Sequence, residues 1–208
     1  LVHREVMLRL PLPDAGGVLT AGAFMPAAVR VGLASACGLE ALRLGLARLL
    51  VSPDPVAINV APRSLIEPGF LDRLDVLLAT AGNDAARIAV EVSERGLDAN
   101  LAGLEALAEV LGRHGAQLGI EHFGRQLAAL PRLYAIRLAY LKLDGSFVAG
   151  LHENAGHRRL VKAIVDVARS LNVAVYAEQV HTAEEWAAAA SLGVGGMTGP
   201  EASRRLAG

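Results

Sequence analysis

The chain has 208 residues, of which 53% are hydrophobic, 20% charged and 4% aromatic, and its formal net charge is −1. Such a composition can bury a sizeable core and excludes disorder as the main state; the balanced charge and scarce aromatics exclude a general DNA- or RNA-binding surface. Cys37 is the sole cysteine, which excludes a disulfide framework and a cysteine-based zinc site, and the longest charge-free stretches contain Gly and Pro and fall short of the roughly 20 residues of a membrane span.

Apolar periodicity then gives the elements in chain order. Residues 4–10 read as a strand with Glu5, Met7 and Arg9 on alternate positions. A turn at Asp14–Gly17 leads to a return strand near 18–20. Helical spacing fills 26–35 and 39–50, and AINV at 57–60 is a strand. Leu71, Leu74, Leu77 and Leu78 mark a helix over 67–80. Strands at 88–92, 117–121, 139–143, 173–177 and 193–197 alternate with helices at 100–114, from 121 to about 133, at 156–171 and at 183–192. Alternation of this kind means parallel βαβ units. Without a Gly-rich phosphate turn after the first strand, it favours an α/β, (β/α)8 TIM-like barrel over a doubly wound sheet, irregular at the N-terminal strand. Residues 1–208 read as one domain. The opening at Leu1 inside a strand-like run, with no targeting segment, reads as a piece of a longer protein.

The chemistry lies in polar residues placed on apolar strands. Glu5, Asn59, Glu91 (with Glu94 beyond it), Glu121 and Glu178 fall at or near strand ends, with Lys142 and Asp144 in YLKLDG. A full charge in such a place is unfavourable unless paired or bound, and barrels assemble their chemistry at strand C-termini. Glu5, Asn59, Glu91 and Glu121 offer hard oxygen donors suited to Mg²⁺ or Mn²⁺. Arg9 is suited to a two-pronged grip on phosphate. Taken singly, each Glu reads as a loop salt bridge, Asn59 as a hydrogen-bonding spacer, Lys142 and Asp144 as an internal ion pair, and His122 as a polar core or loop residue. Taken together, they suit a phosphate or metal site, with a Schiff-base aldolase built on Lys142 as the competing barrel chemistry.

In order along the chain, Glu5-Val-Met7, Phe24-Met-Pro26, Asn59-Val60, Glu91-Val-Ser-Glu94, Lys142-Leu-Asp144-Gly-Ser-Phe-Val148 and Ala177-Glu178-Gln-Val180 resemble the motifs of the EAL domain family of cyclic di-GMP phosphodiesterases and their inactive relatives. The resemblance implies that Glu5, Asn59, Glu91 and Glu121 match the ligands of two divalent ions. It places Lys142 by the hydrolytic water and Glu178 in support of the metal site. Glu94 matches a residue that orders a loop, and Arg9 one that meets a ligand phosphate. Met7, Asp144 and Thr198 join Arg9 and Glu5 as expected ligand contacts. Two metals of this kind polarise a phosphodiester and generate hydroxide.

The chain departs from that pattern at its centre. The family's Asp-Asp pair is Glu121-His122, its Thr-Gly is Arg125-Gln126, and Thr198 replaces a Gln. The combination resembles the degenerate EAL domains of LapD-type receptors. It implies a cyclic di-GMP-binding signalling domain that is catalytically degenerate and needs no metal to bind, with Lys142, Glu178 and the metal residues vestigial. The alternative is an active Mg²⁺- or Mn²⁺-dependent phosphodiesterase giving the linear dinucleotide pGpG. The same resemblance implies GGDEF-like, HAMP and periplasmic output domains in the parent, a cytoplasmic face of an inner-membrane protein, a role in biofilm regulation, and a homodimer as an open option.

Overall fold

The computed structural model describes residues 2–12, 16–95, 97, 100–125 and 136–207. The chain folds as two compact units, Leu1–Leu118 and Gly119–Gly208.

The first unit begins with β1 (Arg4–Val6), β2 (Arg9–Leu12) and β3 (Gly17–Thr20). The strand expected over 4–10 is therefore two strands. β1 pairs parallel with β4 (Val56–Val60), whereas β2 turns away into an antiparallel hairpin with β3, Arg9 lying opposite Thr20. Val18 and Leu19 supply the hairpin partner that ends the reach of the first strand. Helices α1 (Ala21–Arg30) and α2 (Ala34–Leu49) both start five residues earlier than the periodicity suggests. Pro26 lies inside α1 rather than at its first turn; it forfeits one backbone hydrogen bond, which leaves the rest of the helix intact.

A 3-10 turn at Pro62–Ile66 precedes α3 (Phe70–Ala81), and β5 (Ile88–Ser93) then runs parallel to β4 with Asn59 level with Glu91. Because in-register neighbours share a face, Glu5, Asn59 and Glu91 point to one side of β1–β4–β5. The other side carries Val56, Ile58 and Ile88, which meet α2 at Gly45, where a Cβ would stand only 3.2 Å from Ile58 Cγ2. That close approach seals the apolar face under the helix. Helix α4 (Leu101–Arg113) completes the unit with Leu104, Leu107 and Leu111 buried.

The second unit takes β6 (Gln117–Phe123) from Gly119 onward, then β7 (Tyr140–Leu143), a one-turn helix α5 (Gly145–Val148), α6 (Ala155–Ser170) and β8 (Ala174–Ala177). It closes with α7 (Ala183–Ser191), β9 (Gly196–Met197) and α8 (Pro200–Ala207). The helix expected to about 133, and Gln126 with it, lies outside the described residues. The terminal helix α8 was not expected, although Pro200 at its first position is the usual signal of a helix start. β6 to β9 are parallel neighbours in chain order, with Gly119 level with Tyr140, Lys142 with Tyr176, and Tyr176 with Gly196. Two glycines thus flank two tyrosines on one face. The rings lie 4.8 Å apart, and a Cβ at Gly119 would come within 2.3 Å of Tyr140.

Candidate functional site

The first unit holds one set of donors. Asn59 Nδ2 donates to Glu5 Oε1 at 2.8 Å, while the buried Asn59 Oδ1 has no hydrogen-bond partner. Carboxylate oxygens of Glu5 and Glu91 lie within 4.8 Å of one another. His3, which the sequence reading passed over, sets Nε2 3.5 Å from Glu91 Oε1, and Glu91 itself is 0% exposed. A buried carbonyl oxygen beside two carboxylates is the donor chemistry that a hard divalent cation takes. This set therefore fits a metal ion. Glu94 is fully buried where the chain leaves β5, and its carbonyl accepts from Leu97 N–H at 3.2 Å, tying down the start of the following turn. Arg9 is exposed on the hairpin, its Nη1 donating to the Leu8 carbonyl at 3.2 Å, and Met7 is exposed beside it.

The second unit holds a different kind of set. β6 bulges between Ile120 and Phe123, where His122 takes the left-handed φ of 54°. A bulge re-aims side chains at a strand end. The His122 ring is carried to Glu178, with Nδ1 2.8 Å from Oε2, and its backbone N–H donates to Oε1 at 3.4 Å. Nε2 lies 3.8 Å from Glu121 Oε1, and Nδ1 lies 3.8 Å from Asp144 Oδ2. The hydrogen bond to Glu178 and the charges of Glu178, Glu121 and Asp144 outweigh burial and raise the His122 pKa from 6.5 to about 9. The ring is an imidazolium at neutral pH.

Asp144 carries a second cation. Arg125 Nε donates to Oδ2 at 2.9 Å and Nη2 to Oδ1 at 3.0 Å, a two-pronged clamp. Ser146 N–H and Oγ–H add bonds to Oδ1 at 3.0 and 2.6 Å, so Asp144 also caps α5. Burial alone would raise the Asp144 pKa, but the bonds from Arg125 and Ser146 prevail and lower it to about 2. The Glu178 and Asp144 carboxylates are thus each met by a basic side chain, His122 and Arg125. His122 and Arg125 offer this set positive charge rather than oxygen donors, which opposes a divalent ion beside Glu178 and Asp144.

Lys142 is 0% exposed on the face it shares with Tyr140. Thr198 is half-buried, its N–H donating to Ala177 O and its carbonyl accepting from Val180 N–H, both at 2.8 Å. Gly199, at φ 127°, allows that turn, since a Cβ there would come within 2.6 Å of the Val180 backbone. Neither the His122–Glu178 pair nor the Arg125–Asp144 pair is visible in sequence, because each joins different strand ends. Glu185 was also missed. It accepts from Gly150 N–H at 3.0 Å and His181 N–H at 2.9 Å, binding the turns after α5 and β8 together. Its signal was present as the Thr182-x-x-Glu185 capping box.

The EAL domain model matches residues 1–205. The cyclic di-GMP phosphodiesterase PdeF of Escherichia coli is 28% identical over 203 residues, covering 95% of this chain and 27% of PdeF. The chain thus spans about a quarter of that relative's length. Among solved structures, the S helix-GGDEF-EAL portion of Vibrio cholerae LapD bound to c-di-GMP superposes with a TM-score of 0.89 at 21% identity, covering 97% of this chain and 49% of that one. The PaMucR phosphodiesterase in complex with c-di-GMP gives 0.78 at 27% identity, covering 96% and 83%. These likenesses confirm the α/β, TIM-barrel-like fold expected from the strand–helix alternation. Among the described residues no helix is long and apolar enough to cross a membrane. With its strand-end motifs in order and its fold shared, the chain belongs to the EAL domain family.

Proposed function

We propose that this domain binds cyclic di-GMP and does not hydrolyse it at an enzymatic rate. The observation that carries the reading is the His122 ring set on Glu178, Nδ1 2.8 Å from Oε2, a nitrogen where the family pattern has a carboxylate. Two-metal hydrolysis needs two ions roughly 3.5–4 Å apart about the attacking water, and a protein cation among the carboxylates opposes a second ion by charge. Arg9, exposed on the hairpin, is the residue assigned to a ligand phosphate. Met7, Glu5, Asp144 and Thr198 are assigned to ligand contact by family resemblance. Lys142, Glu178 and Glu94 keep their family positions as vestiges of catalysis and loop order.

The second reading, a Mg²⁺- or Mn²⁺-dependent phosphodiesterase, is favoured by one observation. Glu5, Asn59 and Glu91 still fit a metal, with Asn59 Oδ1 buried and lacking a hydrogen-bond partner. We further assign the chain, as a single EAL domain, to a longer LapD-type signalling protein with GGDEF-like and membrane-anchored parts, on the cytoplasmic side.

Calorimetric titration with cyclic di-GMP in EDTA tests binding. Saturable heat is expected, weakened in Arg9→Ala by about 1.5–3 kcal/mol, the range for a hydrogen bond to a charged group. Absence of heat at millimolar ligand would end the receptor reading.

A further inference from the structure

We infer that His3 is a positioning residue for the metal set of the first unit: it holds the Glu91 carboxylate where Glu5 and Asn59 can share a divalent ion with it. The inference rests on the fit of that set to a metal ion and not on the binding of a nucleotide.

The main chain delivers His3 to this place. Arg4 N–H donates to Pro55 O at 2.8 Å, and the Arg4 guanidinium bonds Asp54 Oδ2, so the chain is pinned immediately after His3. Arg4 lies level with Val56 and Glu5 with Ala57 in the parallel register. Alternation then sets His3 and Glu5, on either side of Arg4, to one face, the face that also carries Asn59 and Glu91. The His3 side chain is 8% exposed and that of Glu91 0%, with Nε2 3.5 Å from Oε1. A carboxylate taken this far out of water is unfavourable unless polar groups meet it, and an imidazole N–H beside it acts with little solvent screening. Among the described residues, the donor atoms that converge within 4.8 Å include those of Glu5 and Glu91 and none of His3. The ring thus acts through Glu91 rather than on the ion. With His3 against Oε1, the carboxylate is oriented beside Glu5 before an ion arrives, and the buried Asn59 Oδ1, which has no hydrogen-bond partner, adds a third donor on the same face. Outer partners of this kind orient the ligands of metal sites, and removing one weakens metal binding about 10–100-fold.

Titration of the chain with Mn²⁺ in the absence of nucleotide, with free Mn²⁺ read by electron paramagnetic resonance, tests this. Wild type should bind Mn²⁺ saturably. His3→Leu, which fills the space but offers no donor, should bind it roughly 10–100-fold more weakly. His3→Gln, which keeps an N–H donor, should recover most of that loss, and it serves if the Leu variant does not fold. A ring that only packs against the strand would lower the melting temperature in EDTA and leave Mn²⁺ affinity where it was. Unchanged or tighter Mn²⁺ binding in His3→Leu, or no recovery in His3→Gln, would overturn the inference. Absence of Mn²⁺ binding by wild type at millimolar concentration would overturn it together with the fit of the first unit to a metal. Since no nucleotide is present, these outcomes are independent of whether cyclic di-GMP binds.

Discussion

Raising the pH should remove a definite part of this fold's stability through His122. The ring has a pKa raised from 6.5 to about 9 by its hydrogen bond to Glu178 and the surrounding carboxylates. In the folded chain His122 stays protonated between those values while in the unfolded chain it does not, so the folded state binds more protons there and stability falls as pH rises. The contribution is complete below about pH 6.5 and is lost by about pH 9. At about 1.4 kcal/mol per pH unit the full shift would be worth roughly 3 kcal/mol. The His122 side chain is 38% exposed, however, so water screens the pairs and we take about 1–2 kcal/mol. For a chain of this size that corresponds to roughly 2–8 °C in melting temperature.

The perturbation is His122→Asn, chosen because Asn tolerates the left-handed backbone that His122 adopts at φ 54°. Urea melts of wild type and variant in EDTA at pH 6 and pH 9.5 give the comparison. The variant should be less stable by about 1–2 kcal/mol at pH 6, and the gap should close at pH 9.5. A gap equal at both pH values would refute the ion-pair account and leave only packing.

Two further outcomes follow from the geometry. Gly119→Ala, which would set a Cβ 2.3 Å from Tyr140 Cε2, should destabilise by about 1–3 kcal/mol or more as an overpacked interior, visible as a lower melting temperature. Glu185→Ala should cost about 1–3 kcal/mol by removing a charged acceptor from two backbone N–H groups, with faster amide exchange at Gly150 and His181, whose N–H groups it now holds at 3.0 and 2.9 Å.

The parallel strands were legible because β4 and β5 are short apolar runs interrupted at single positions by Asn59 and Glu91, a pattern that has few other readings. The split of the first strand was not. Alternation of Glu5, Met7 and Arg9 fits one strand as well as two, and only pairing with β3 shows that Arg9 belongs to the hairpin. The substitution of Glu121-His122 for two aspartates was plain in the sequence, but its consequence was not. Whether a histidine is a weak ligand or a cation depends on what faces it, and Glu178 lies 56 residues further along. Arg125 was likewise readable as a nearby positive charge, while its clamp on Asp144 depends on how the ends of β6 and β7 meet. His3 gave no signal, since a histidine two residues before a strand-end Glu has no motif of its own.

The account's central claim is binding without turnover, and one incubation tests it most directly. Purified chain is mixed with cyclic di-GMP and Mn²⁺, and both retained cyclic ligand and released linear dinucleotide are measured over hours. The account predicts a saturable complex with absent or very slow product formation. Metal-dependent release at about 1 per second or more, the lower end of ordinary enzyme turnover, would contradict it and make the chain a working phosphodiesterase.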